Sequence, residues 1–75
     1  NNRRYSHNKK TVLAFAIELE LSMDETVDLL LTAGYSLSES SRFDVILSFF
    51  LEKKIYDIFE INEMLFYYGQ PILGG

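Results

Sequence analysis

The acidic side chains and the lone histidine are the first candidates for chemistry in this sequence. Glu60 and Glu63 are three residues apart, a spacing that puts both carboxylates on one face of a helix, where they could share a cation. Glu18 and Glu20 form a second pair. His7 is the one histidine and cysteine is absent, so the chain can build neither a thiolate nor a paired-histidine zinc site. Such acidic pairs are more typical of solvated helix faces, and we predict no catalytic, cofactor-binding or metal-ligating residue.

Enzyme motifs are also missing from the sequence. The four glycines fall at predicted helix ends or at the terminus, not in a phosphate-binding loop. No histidine, acid and nucleophile stand in a recognisable combination. We therefore predict that the protein is not an enzyme and uses no cofactor.

Basic side chains concentrate at the start of the chain. The first ten residues carry four positive charges and no negative charge, on Arg3, Arg4, Lys9 and Lys10. With Tyr5 among them, this cluster could contact the phosphates of a nucleic acid. Residues 11–75, however, carry three cations against eleven acids, a net charge of −8 that would repel phosphate at close range. Nucleic-acid binding by this chain alone is therefore the less favoured interpretation.

Apolar residues that recur every three to four positions predict the helices that would position these groups. The predicted helices cover residues 9–21, 23–33, 39–53 and 58–68. We predict an all-α fold, a compact bundle of about four helices forming a single domain over 9–75. Residues 1–8 are expected to form a basic arm or loop, the start of a piece taken from a longer chain. Short connections imply that sequential helices pack as neighbours.

Capping residues predict the helix boundaries. Ser22 and Glu25 form a capping box at the start of the second helix, and Gly34 is the expected end of that helix. Ser38 is the predicted N-cap of the third helix, and Asp57 that of the fourth. The apolar tail that follows the fourth helix could fold back onto the body.

The chain is rich in apolar side chains for its size. Of its 75 residues, 48% are hydrophobic and 15% are aromatic. Without disulfides, a domain this small needs dense packing or association for stability. The predicted core stripes of the four helices are Val12, Phe15, Ala16 and Leu19, with Leu13, Ile17 and Leu21 on a neighbouring stripe; Met23, Val27, Leu30 and Leu31; Phe43, Ile46, Leu47, Phe50 and Leu51; and Ile58, Ile61, Leu65 and Tyr68. The apolar residues off these stripes are Leu29, Val45, Phe49, Phe59, Phe66 and Tyr67, and burial against neighbouring helices is the more common outcome for such residues. If they stay exposed, they mark a protein-binding surface, for which we predict Phe49, Phe59, Phe66 and Tyr67.

Two parts of the sequence resemble known helical proteins. Residues 14–25 are similar to the last two helices of a repressor-type helix-turn-helix domain. More of the chain resembles a helical module that is appended to diverse bacterial proteins, including macro-domain (ADP-ribose-binding) and von Willebrand factor A-like proteins. The matching runs are LSMDET (21–26), AGYSLS (33–38), FDVI (43–46), IYDIFEINE (55–63) and QPILG (70–74). In that module a helix-turn-helix-like segment precedes the part seen here, and the resemblance implies an accessory or regulatory role.

Residues and resemblance together predict a non-catalytic protein-interaction or regulatory module of a larger bacterial protein. Its partner would be another protein, a parent domain or a second copy of this chain. The alternative is the C-terminal half of a helix-turn-helix DNA-binding regulator. No apolar run reaches the ~18 residues that a membrane span needs, and none resembles a signal peptide. With the lack of cysteine, we expect a cytoplasmic location and no membrane partner.

Overall fold

A computed structural model describes residues 8–74 of the chain. Within this range the chain forms four helices and no strand. The helices are α1 (Lys9–Glu18), α2 (Met23–Thr32), α3 (Arg42–Lys53) and α4 (Ile58–Tyr67). The predicted all-α bundle of four helices is therefore confirmed. None of these helices combines the length and the apolar character that crossing a membrane requires.

The first helix is three residues shorter than predicted, ending at Glu18 instead of residue 21. Glu20 adopts a left-handed backbone conformation with φ 55°, and the N–H of Leu21 donates to the carbonyl of Ala16 at 2.9 Å. This is a helix-terminating turn in which a non-glycine residue takes the position that glycine usually fills. The turn brings Ser22 directly into place as the N-cap of α2.

The third helix starts three residues later than predicted, at Arg42, because Ser41 and not Ser38 is its N-cap. The Ser41 hydroxyl accepts the N–H of Asp44 at 3.2 Å. Ser38 makes a turn instead: its own N–H donates to the Asp44 carboxylate at 2.8 Å, and its hydroxyl accepts the N–H of Ser40 at 3.0 Å. Serine hydroxyls satisfy a turn as readily as a helix end, so sequence alone did not separate the two positions.

The remaining caps follow the sequence closely. The capping box of α2 is confirmed. The Ser22 hydroxyl accepts the N–H of Glu25, and the Glu25 carboxylate accepts the N–H of Ser22. Asp57 caps α4, as predicted, and accepts the N–H of Phe59 at 3.0 Å. Gly34 follows α2 with φ 84°, a conformation that glycine adopts without strain.

The hydrophobic core lies where two helical hairpins meet. α1 packs against α2, α3 packs against α4, and α2 contacts α3. The buried apolar side chains are Val12, Leu13, Ala16, Ile17, Leu30, Ile46, Leu47, Phe50, Leu51, Ile61, Leu65 and Leu73. The predicted core stripe of α3 is therefore correct.

The predicted stripes of the other helices are too wide. Phe15 and Leu19 of the first stripe are exposed, as are Val27 and Leu31 of the second and Tyr68 of the fourth. The apolar arc of each of these segments is broader than the surface that its neighbours cover.

The segment after α4 folds back onto the body, and Leu73 enters the core. Asn62 of α4 holds it at two points: the Leu73 N–H donates to the Asn62 side-chain oxygen at 2.7 Å, and the Asn62 amide donates to the Leu73 carbonyl at 3.0 Å. A second tie joins the hairpins, where the Tyr56 hydroxyl donates to the Leu21 carbonyl at 2.7 Å. The short connectors are thus fixed by side-chain hydrogen bonds.

Candidate functional site: an apolar groove between α3 and α4

An apolar groove of about 460 Å³ runs between α3 and α4. Val45 and Phe49 of α3 form one wall, and Met64 of α4 and Tyr68, the C-cap of that helix, form the other. These four side chains are exposed, whereas Phe50 at the base of the groove is buried in the core. The walls therefore project from helices that the core holds in place.

The two walls have the same spacing. Val45 and Phe49 are four residues apart, as are Met64 and Tyr68, so each pair stacks along one face of its helix. Four residues of helix rise by about 6 Å. The groove is thus bounded by two ridges of roughly one helical turn each.

A positive charge stands at one end of this groove. Of the described residues that line it, Arg42 alone is charged. The Arg42 guanidinium carbon lies 5.8 Å from the centre of the Tyr68 ring, within the range of a cation–π contact. Tyr68 is also the C-cap of α4, where the partial negative charge of the helix end favours a cation. Arg42 is therefore held beside the groove, close to the C-terminal end of α4.

A second groove lies on the other side of the same α3 ridge. It is bounded by Met23 and Val27 of α2 and again by Val45 and Phe49 of α3. Its charged lining is acidic, consisting of Glu39 and Glu52. The two grooves share one apolar ridge, yet the charges beside them have opposite signs.

The structure exposes all four aromatic residues that the sequence singled out, but does not bring them together. Phe49 is 50% exposed and lies on the shared ridge, with the Lys53 ammonium 5.9 Å from the centre of its ring. Tyr67 packs edge-on against Tyr68, with ring centres 5.0 Å apart, next to the α3–α4 groove. Of the four aromatic residues, Phe49 and Tyr67 lie at or beside the groove between α3 and α4.

Phe59 and Phe66 occupy a different surface. They are 83% and 78% exposed and line neither groove. Being seven residues apart on α4, they lie within about 20° of each other around the helix axis. The same geometry places them about 170° from the flank that carries Met64 and Tyr68. α4 thus presents two separate apolar flanks.

Sequence reasoning missed three residues of the groove: Met64, Tyr68 and Arg42. The apolar spacing predicts Tyr68 on the core face of the fourth helix, but the structure leaves it 45% exposed. The repeated four-residue spacing of the wall residues was the available signal. Nothing in the sequence places Arg42 beside Tyr68, because that contact depends on how α3 and α4 pack.

The predicted basic arm is described only in part. Arg3, Arg4 and His7 lie outside the described residues. Lys9 and Lys10 belong to the first turn of α1.

Lys9 has a structural partner within the fold. Its ammonium lies 2.6 Å from the Asp44 carboxylate, which is 2% exposed and also accepts the N–H of Ser38. The Lys9 side chain is 27% exposed. Its charge is thus engaged in tying α1 to α3, which leaves it poorly placed to contact phosphate.

The acidic pairs lie on the surface of the bundle. Glu18, Glu20, Glu60 and Glu63 are all exposed, and the last two border a shallow hollow beside Tyr67. Within residues 8–74 no group of three or more histidine, cysteine, aspartate or glutamate side chains could hold a metal ion.

No protein-family model, no curated protein and no solved structure matches this chain. The resemblance to the bacterial helical module therefore stays a prediction.

Proposed function

We propose that this chain is a non-catalytic protein-interaction module, and that the groove between α3 and α4 is its binding surface. The observation that supports this proposal is the exposure of Val45, Phe49, Met64 and Tyr68 around a base formed by a core residue. Contiguous apolar surface of this kind is unfavourable in water and is typical of binding sites. Membership of a larger, cytoplasmic bacterial protein is part of the same proposal, following from the resemblance and the lack of cysteine.

The groove has the composition of a binding hot spot. Aromatic residues, methionine and arginine are enriched at protein interfaces, and this groove contains all three. Its α3 wall is part of a helix whose opposite face is buried, so the side chains are presented by a rigid element. A preformed surface loses less conformational entropy on binding, which favours affinity.

DNA binding is the weaker candidate for the described part of the chain. Lys9 is paired with Asp44, and the exposed surface of the body is mainly acidic. Residues 8–74 add no observation in favour of DNA binding, so we propose a single function.

Site-specific photo-cross-linking in native cells tests this function. A photoreactive phenylalanine analogue would replace Phe49 in the full protein, and a matched variant would carry the analogue at Asp28, an exposed position of α2 that lines neither groove. We expect a cross-linked species of defined mass from position 49 and none from position 28. An adduct of twice the mass of the protein would identify a second copy as the partner.

Absence of any adduct from position 49 would contradict the proposal, provided that analogues at Phe59 and Phe66 also give none. An adduct from Phe59 or Phe66 alone would place the binding surface on the outer flank of α4 instead.

A further inference from the structure

We infer that the occupant of the α3–α4 groove is a short amphipathic helix of a partner protein, with an acidic residue at the end that meets Arg42. This inference rests on the proposed function and specifies the chemistry of the partner. It follows from the shape of the groove and from the sign of the charge at its end.

The shape of the groove suits a helix. Two ridges, each made of side chains four residues apart, face each other across an apolar base. A helix lying between them would insert side chains at positions i, i+3 or i+4, and i+7, the usual pattern of helix-in-groove recognition. The α3 residues that line the groove extend from Arg42 to Phe50, about 12 Å of helix, which is close to the roughly 10 Å between positions i and i+7 of an occupant.

The charge at the end of the groove determines which charge a partner should carry there. Residues 11–75 carry a net charge of −8, so most of this surface repels an acidic partner. Arg42 is the exception within the groove, and its guanidinium can bind a carboxylate through two parallel hydrogen bonds. An acidic residue of the partner is therefore favoured beside Arg42, which fixes the end of the groove at which the acidic end of the bound helix lies.

The neighbouring groove provides an internal contrast. It shares Val45 and Phe49 but is lined by Glu39 and Glu52. A helix chosen for apolar contact alone could bind either side of this ridge. Both grooves offer apolar walls, but the charges beside them have opposite signs, so the charge is the feature to test.

Parallel selections from a displayed library of helical peptides test the inference directly. The library would carry varied apolar residues at i, i+4 and i+7, and Glu, Gln or Lys at both ends. The targets would be the full protein, the Arg42→Glu variant and a Lys10→Glu control. The control makes the same charge change in α1, away from both grooves.

We expect the unaltered protein and the Lys10→Glu control to enrich Glu at one end, and Arg42→Glu to enrich Lys at the same end. A selected peptide should bind Arg42→Glu at least about tenfold more weakly than it binds the unaltered protein. It should also lose affinity when Met64 is changed to Ala, and keep it when Val27 is changed to Ala, since each residue lines one groove alone. If Arg42→Glu unfolds, Arg42→Gln should abolish the preference for Glu.

Three results would overturn this inference. If peptides bind the groove with the same charge preference in all targets, the groove binds protein but Arg42 does not select the partner, and the proposed function stands. If they bind beside Val27 or Phe59, the groove assignment is wrong and only the proposal of an interaction module survives. If no peptide is enriched, the inference of a helical occupant is wrong, and if position 49 also gives no cross-link, both proposals fail.

A fourth result, binding of a second copy of this chain, would also overturn the inference and is measured separately. The outer flank of α4 carries Phe59, Glu63 and Phe66, and could act as the occupant of another molecule's groove. Concentration-dependent association that is lost on changing Phe59 to Ser would assign the groove to self-association and overturn the inference of a separate partner.

Discussion

Arg42 and Asp44 are two residues apart at the start of α3, yet they belong to regions of opposite character. The Asp44 carboxylate is buried, where it pairs with the Lys9 ammonium and accepts the N–H of Ser38. Its charge is therefore neutralised within the fold. Arg42 is exposed and contacts the face of the Tyr68 ring, so its charge remains available at the groove. The comparison teaches that this domain uses an ion pair to join its hairpins and leaves a second cation exposed, where the proposed function would use it for recognition. Mutations in the two regions should therefore separate stability from binding.

The largest expected effect is at the base of the groove. Changing Phe50 to Ala should reduce the free energy of unfolding by about 3–5 kcal/mol, because the side chain is fully buried in the core. Changing its exposed neighbour Phe49 to Ala should cost about 1 kcal/mol or less. Urea unfolding followed by circular dichroism measures both. Equal losses for the two variants would show that Phe49 is part of the core and not of a binding surface.

The next effect concerns the buried ion pair. Changing Lys9 to Met leaves the Asp44 carboxylate without its cation, and the free energy of unfolding should fall by about 2–3 kcal/mol, less than for a fully buried pair because Lys9 is partly exposed. Asp44→Asn should cost less, since the amide oxygen can still accept the Ser38 N–H and the Lys9 ammonium can turn to water.

Chemical denaturation of the Lys9→Met, Asp44→Asn and double variants measures the coupling between the two side chains. A loss below about 0.5 kcal/mol for Lys9→Met would mean that the contact behaves as an ordinary surface ion pair, and the contrast with Arg42 would disappear.

A helix cap that belongs to neither region provides a scale for these values. Changing Ser22 to Ala removes the acceptor for the Glu25 N–H and should cost about 1 kcal/mol in the free energy of unfolding. Thermal unfolding is sufficient to detect it. A conservative Ser22→Thr variant, which retains the hydroxyl, should lose less.

The smallest expected effect on stability is at Arg42. Changing it to Gln removes an exposed cation–π contact and a favourable charge at the end of α4, and should cost about 0.5–1 kcal/mol in the free energy of unfolding. Unfolding in urea, run beside Lys9→Met, measures the difference. If Arg42→Gln destabilises the protein as much as Lys9→Met does, Arg42 is a structural residue and its role in recognition loses its basis.

The number of helices, two of their caps and the core stripe of α3 could be predicted because they depend on local sequence. The capping roles of Ser22 and Asp57, and the burial of Phe50, depend on residues within a few positions of each in the sequence. The start of α3 could not be predicted in the same way, because Ser38 and Ser41 are equally good caps and the choice depends on Asp44 packing against α1.

The candidate site was predictable only in outline. Four exposed aromatic residues could be identified from their positions off the core stripes, but their division between two flanks of α4 depends on the packing of α3 against it. Tyr68 shows the limit most clearly: periodicity gives the width of an apolar arc, but not which part a neighbouring helix covers. The position of Arg42 beside the groove could not be predicted for the same reason.

The double hydrogen bond between Asn62 and Leu73 has a consequence for proteolysis. It imitates the pairing of a neighbouring strand and holds the Leu73 backbone against the body while its side chain fills the core. An exopeptidase trimming the chain from its carboxyl end should slow sharply on reaching this residue, since cleavage there requires the segment to detach first. Trimming past it would remove the Leu73 side chain from the core and open the apolar residues beneath it to water.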